Sequence, residues 1–172
     1  MTWFPVYLGF GSNIADRESF LKQGLNYLIS RNHFQVTRIS SLYETEPKYL
    51  KEQDYFYNFV AEGSTDLDAD ELLTYCKKIE QDLGRNFRQV RYGPREIDLD
   101  ILFFADEIVH NERLNIPHPR IAERKFVLQP LTEIAPAYIH PVLKVTISEL
   151  FQSCKDLSQV AKIKDLISWI SV

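Results

Sequence analysis

Two aspartates separated by one residue, Asp98 and Asp100 in the stretch RYGPREIDLDILFF (91–104), carry the first chemistry this sequence offers. On an extended strand, residues two apart point to the same side, roughly 6.5 to 7 Å along the chain. The two carboxylates therefore share one face, with Ile97, Leu99, Ile101 and Phe103 on the other. Carboxylates this close repel unless cations stand between them. The pair suits hard divalent ions such as magnesium, two of them about 3.5 to 4 Å apart. An isolated D-x-D is also what an amphipathic strand with one wetted face would show.

The residues just before the pair bear on that choice. Arg85, Arg88, Arg91 and Arg95 fall within eleven residues of an otherwise acidic chain. Their spacing also fits one solvated helix face, but Gly84 ahead of them and Gly93-Pro94 within the run interrupt a continuous helix. An arginine loop beside metal-binding carboxylates suits a polyphosphate, because guanidinium forks take the charge that the metal does not. Gly93-Pro94 sets a turn that aims Arg95 back over the strand. Neither a P-loop nor a Rossmann turn is present. The stretch GFGSNI has two glycines before a helix but no third glycine and no GK[ST] ending, and reads as a tight turn.

The elements that must position these groups follow from periodicity and caps. VYLGF (6–10) reads as a first strand closed by Gly11-Ser12-Asn13, followed by a helix over DRESFLKQGLNYLI with Asp16 as N-cap. FQVTRISSLYET reads as a second strand to Thr45, and a polar loop over 46–54 leads to a third in YFYNFVAEG. DLDADELLTYCKKIEQDLG is the clearest helix, with Leu72, Leu73, Cys76, Ile79 and Leu83 at helical spacing and Gly84 as its stop. With the aspartate strand, the order is βαββαβ, a ferredoxin-like α+β sheet with helices on one face. DEIVHNERLNIPHPRI reads as a short hairpin and a proline-bracketed turn. A third helix is expected from about Arg120 to Ala135, and the rest, with a helical piece in TISELFQSCKDLSQV, is a C-terminal extension without readable chemistry.

Composition bounds the class of protein. The 172 residues fit one domain, 1–172, and are 45% hydrophobic and 26% charged, as in an ordinary globular chain. A formal net charge of -4 argues against a nucleic-acid or anionic-membrane coat. Cys76 and Cys154 form no metal or disulfide spacing. No signal peptide or membrane-length apolar run is seen, so a cytoplasmic, membrane-free monomer is expected.

The signature RYGPREIDLDILFF resembles that of the 6-hydroxymethyl-7,8-dihydropterin pyrophosphokinase family of folate synthesis. The resemblance extends through GSN, SSLYETEP, FYN, IEQDLGR, IPHPR and FVLQPLTEIAP. It implies a ferredoxin-like fold and transfer of the β,γ-diphosphate of ATP to the pterin hydroxymethyl group, with release of AMP. Carried over by position, it implies that Asp98 and Asp100 hold two magnesium ions and that Arg85, Arg88, Arg95 and Arg124 contact phosphates. Leu73, Lys77, Glu80, Tyr92, Ile101, Arg113, Asn115 and His118 would surround the nucleotide. The pterin would stack between Phe56 and Phe126, with Asn58 reading its polar edge and Thr45, Glu46 and Pro47 adding contacts.

Taken alone, Phe56 and Phe126 are also ordinary core aromatics, whereas a buried Asn58 needs partners that a ligand can supply. His118 has no second histidine at ligand spacing and reads as a hydrogen-bonding residue, and His33, His110 and His140 as structural or surface. The loop KYLKEQDYFYN lacks the glycine and proline common there in the family, and the arginine loop is one residue longer. The loops 46–54 and 85–94 are expected to close over the site. Two other functions share parts of the pattern. A two-metal nucleotidyl transferase would use the same carboxylates without a pterin slot. A ferredoxin-like RNA-binding module would need the RRM aromatic signature, which is missing.

Overall fold

The structure, a computed structural model, describes residues 2–170; Met1, Ser171 and Val172, at the ends of the expected 1–172 domain, lie outside the described residues. Strand β1 (Phe4–Ser12) leads to helix α1 (Arg17–Ser30), whose N-cap Asp16 accepts the Ser19 amide. Strands β2 (Phe34–Ile39), β3 (Leu42–Thr45) and β4 (Phe56–Thr65) follow. Helix α2 (Ala69–Asp82) opens on a capping box between Asp68 and Glu71 and stops before Gly84, whose φ of 97° favours glycine.

The aspartate strand is β5 (Asp98–Phe104), and a small hairpin pairs β6 (Val109–His110) with β7 (Asn115–Ile116). Helices α3 (Lys125–Ile134) and α4 (Ile147–Ser153) and strand β8 (Val160–Lys164) complete the order. The main sheet runs β5-β1-β4-β3-β8 with β2 also paired to β4, and all its pairings are antiparallel. This is the ferredoxin-like arrangement expected from the element order.

Helices α1 and α2 lie over Val6, Leu8, Phe10, Phe59, Ala61, Leu99 and Ile101, and each fully buried Leu, Ile or Phe here contributes about 1.5–3 kcal/mol. The C-terminal extension covers the opposite face, where α3 and α4 pack on Tyr7, Val60, Leu102 and Phe103. It also supplies the edge strand β8, and Leu166 and Trp169 return to the first cluster.

Four sequence expectations are corrected. The second strand is two strands, because Val60 N–H donates to Ser40 Oγ and the Ser41 amide turns to Glu133 on α3. The third helix is a 3₁₀ turn (Ile121–Glu123) and α3, separated by extended Arg124. Phe103 does not share a face with Leu99 and Ile101: the register passes from Leu8↔Ile101 to Tyr7↔Phe103, so Leu102 is an extra residue that turns Phe103 to the other side. Finally, the segment after α4 carries an edge strand.

Candidate active site

A cleft of about 250 Å³ opens on the α3 side of the sheet. Its floor is set by register: Asp98, Gly11 and Asn58 lie in one cross-strand row of β5, β1 and β4, and Asp100, Gly9 and Val60 in the next. Gly9 and Gly11 are therefore inside β1 and not in a tight turn. The reason for glycine is cross-strand approach, since a Cβ at Gly11 would stand 2.7 Å from Asn58 Oδ1. Asn13, just past the strand, ties the rim together. Its amide donates to the Arg95 carbonyl, its Oδ1 accepts the Arg95 amide, and its Nδ2 donates to Gln53 Oε1 and the Asp54 carbonyl.

At one end of the cleft, cations gather on the carboxylates. Arg85 and Arg95 each bind Asp98, the latter at 2.8 Å, and Arg85 also reaches Glu80 at 2.8 Å. Glu80, with its side chain fully buried, accepts the Leu99 amide at 2.7 Å and pairs with Lys77 at 3.0 Å, so it anchors Arg85 and Lys77 to β5. Burial alone would raise the Asp98 pKa, but Arg85, Arg95 and Lys77 outweigh it and hold this carboxyl below its usual range. Asp100 goes the other way: burial, then the charge of Asp98, push it up to about 6. Its ion-pair contact among the described residues is Arg124, at 4.0 Å.

A site with two hard oxygen donors and a carboxyl short of positive charge fits a divalent cation. Among the described residues no group of three or more His, Cys, Asp or Glu side chains gathers as a ligand set. An ion held by Asp98 and Asp100 would thus fill its shell with water and substrate oxygens, as magnesium does in phosphate sites. His118 borders the same end. Burial, then the Arg124 charge, lower its pKa to about 4, so it is neutral at pH 7. The Arg120 amide approaches its Nδ1 at 3.2 Å, and the Arg124 guanidinium stands 3.4 Å from its Nε2.

The other end suits a flat polar ring. Asn58 is buried and donates to Thr45 Oγ1 at 2.6 Å. Phe56 and Phe126 line the same walls, with the Arg95 guanidinium 5.7 Å from the first ring and that of Arg124 5.6 Å from the second. The loops 46–54 and 85–94 meet over the rim: Tyr49 and Tyr92 stack at 4.4 Å, Gln53 donates to the Tyr92 carbonyl and Arg120 to the Tyr92 hydroxyl. Tyr92 holds a φ of 63°, a strained backbone for a non-glycine residue that these contacts maintain.

Of the residues expected from sequence, Arg85, Arg95, Asp98, Asp100, Lys77, Tyr92, His118, Arg124, Thr45, Glu46, Phe56, Asn58 and Phe126 line this one cleft. The others stand outside its walls. Arg88 is exposed, Pro47 and Glu80 are buried behind the lining, and Ile101 belongs to the core under α2, with Leu73 packed at its margin. Arg113 reaches Thr74 Oγ1 of α2 at 3.4 Å, and Asn115 Oδ1 is a buried acceptor with no hydrogen-bond partner among the described residues. Sequence reasoning missed Gly9, Gly11, Lys48, Tyr49 and Gln53 as lining residues and Asn13 as the rim's tie. The GSN stretch was the one signal available for the last.

The chain matches the protein family described as 7,8-dihydro-6-hydroxymethylpterin-pyrophosphokinase (HPPK) over residues 7–136. It is 48% identical over 129 residues to the 2-amino-4-hydroxy-6-hydroxymethyldihydropteridine pyrophosphokinase of Bacillus subtilis, covering 75% of this chain and 77% of that one. The Aquifex aeolicus protein of the same name is 40% identical, with 84% and 88% covered. The folic acid synthesis protein FOL1 of Dictyostelium discoideum is 43% identical over 84% of this chain, which spans 22% of that relative's length. Among solved structures, Plasmodium falciparum HPPK-DHPS superimposes with a TM-score of 0.72 at 20% identity, over 88% of this chain and 45% of that one, a likeness of fold.

Proposed function

The chain belongs to the 7,8-dihydro-6-hydroxymethylpterin-pyrophosphokinase family, and from that premise we propose that it transfers the β,γ-diphosphate of ATP to 6-hydroxymethyl-7,8-dihydropterin in folate synthesis, releasing AMP. On this reading residues 1–172 act as a single pyrophosphokinase domain. The observation that carries it is the row Asp98, Gly11, Asn58: one register joins a charged end fit for phosphates to a slot fit for a flat heteroaromatic ring.

The pterin ring stacks between Phe56 and Phe126, and Asn58 and Thr45 meet its polar edge. The hydroxymethyl oxygen then faces the triphosphate. It attacks the β-phosphorus in line, the bond from that phosphorus to the α,β-bridging oxygen breaks with its electron pair on AMP, and the hydroxyl proton passes to solvent. Magnesium, when bound at Asp98 and Asp100, neutralises phosphate charge. Arg85, Arg95 and Arg124 hold the remaining charge as it shifts toward AMP, and neutral His118 borders them as a hydrogen-bonding partner. Glu80 acts behind them by fixing Arg85 and Lys77.

Arg113 and Asn115 serve the nucleotide's far end beside Leu73 and Ile101, where the unpartnered Asn115 Oδ1 suits an amino group. Exposed Arg88, in the loop that meets the pterin side, engages phosphate when that loop tightens. Closure of the Tyr49–Tyr92 rim excludes water, which would otherwise accept the diphosphate. Calorimetry with the pterin, magnesium and a non-hydrolysable ATP analogue tests the assignment. One pterin per chain is expected, with binding lost in Asn58→Leu. Equal binding by wild type and variant would overturn the slot.

A further inference from the structure

The carboxylate of Asp156, in the segment between α4 and β8, is the meeting point of three separate parts of the chain. Its Oδ1 accepts from the Ser158 amide at 3.0 Å and the Ser158 hydroxyl at 2.7 Å, which fixes its own turn. Its Oδ2 pairs with Lys48 Nζ at 3.0 Å and accepts the Lys125 amide at 3.1 Å. The Asp156 side chain is only 4% exposed. Charge-assisted bonds that close off from water hold geometry more firmly than surface pairs do.

Both outside partners lead directly to the cleft. Lys48 precedes Tyr49 in the loop whose residues Glu46, Lys48, Tyr49 and Gln53 form one wall. Lys125 begins α3 between Arg124 and Phe126, which form the facing wall. Helix α3 has no side-chain cap of its own, so the Asp156 carboxylate supplies a missing acceptor for its first turn. Beside it, Glu46 N–H donates to the Gln159 carbonyl and Gln159 N–H to Glu46 Oε2, and Val160 pairs with Thr45. The loop is thus fastened to the C-terminal segment along its first residues. That segment lies beyond the family match at 7–136.

We propose that Asp156 is a positioning residue for the pterin end of the cleft, setting the separation of the Thr45–Tyr49 and Arg124–Phe126 walls by binding both from behind. The inference rests on the function proposed above. Its reach is mainly to the pterin end: of the residues assigned to phosphate, Arg124 alone adjoins an Asp156 contact, while Arg85 and Lys77 are held by Glu80 and Arg95 by Asp98. Loosening the walls weakens pterin binding and leaves the Asp98 cluster built.

The test is steady-state kinetics of the full chain, with pterin and ATP varied in turn, for Asp156→Asn and for the milder Ser158→Ala, which removes the hydroxyl donor that fixes the carboxylate and lies outside the cleft walls. In both, KM and the calorimetric Kd for the pterin should rise about tenfold, as expected for loss of one charge-assisted bond, while KM for ATP and kcat stay within about threefold. The double variant should be little worse than Asp156→Asn alone, because both changes break one contact. A purely structural role would lower the active fraction, and hence kcat, with both KM values unmoved, and that result overturns the inference. So does a parallel rise in both KM values. A wild-type chain that forms no AMP with the pterin removes the proposed function and this inference with it, and is told apart because the wild type itself fails.

Discussion

Asp98 and Asp100 share one face of β5 but stand in opposite charge environments. Asp98 is gripped by Arg85 and Arg95, whereas Asp100 has Arg124 at 4.0 Å and a pKa raised to about 6, first by burial and then by its neighbour. The pair is half neutralised by the protein, and under the proposed function a divalent cation would supply the rest. Asp100→Asn should therefore keep the fold and lose turnover by about a thousandfold, the scale of removing a main electrostatic contribution to the transition state. Steady-state turnover checks it, and thermal unfolding with magnesium and an ATP analogue reads the lost ion contact: the rise in Tm expected for wild type should be absent in the variant.

Gly11→Ala should act on the opposite end. The added methyl would meet Asn58 Oδ1 at 2.7 Å and displace the amide from the slot. Pterin affinity should fall at least about tenfold, equivalent to 1.4 kcal/mol, with nucleotide affinity unchanged. Paired titrations of the two ligands measure this, and equal losses for both would contradict it.

Tyr49 and Tyr92 stack at 4.4 Å across the two loops, and Arg120 lies against both rings. A double-mutant cycle with Tyr49→Ala and Tyr92→Ala should give a coupling of about 0.5–1.5 kcal/mol. Either single variant should also speed protease cleavage within 85–94, because the strained Tyr92 backbone loses its support. Limited proteolysis followed by mass spectrometry locates the cut.

Asp156 sets part of the acid limit of stability. Its pKa is lowered to about 2: burial opposes ionisation, but the Ser158, Lys48 and Lys125 donors outweigh it. A carboxyl depressed in the folded state binds fewer protons there than when unfolded. Its contribution is full above the unfolded value near 4 and is lost as pH falls through about 2. Asp156→Asn should remove about 2 kcal/mol at pH 7 and flatten the fall in stability between pH 4 and 2. Urea unfolding across that range reads the difference.

The sequence made local features legible and long-range ones not. The D-x-D face, the Asp16 cap and the α2 stripe are set by neighbours within a few residues, and all are where periodicity puts them. The bulge at Leu102 lies in the uniformly apolar run ILFF, where a shift of one residue leaves no mark. Gly9 and Gly11 read as a turn because their reason, the approach of Asn58, lies on another strand. Strand β8 exposes most of its side chains and depends on β3 for its pairing, so its short VAKIK pattern gives little sign of a sheet edge. Asp156 was invisible as a site residue for the same cause, since its two outside partners come from distant segments.

On the proposed function, the carboxylate pair and the Asn58 slot serve a single diphosphoryl transfer. Phosphorus NMR of the protein with ATP, magnesium and 6-hydroxymethyl-7,8-dihydropterin, run beside Asp98→Ala, tests it most directly. AMP and a pterin diphosphate should form in equal amounts with wild type, and neither with the folded variant. Formation of ADP, or of AMP with free pyrophosphate and unmodified pterin, would contradict it.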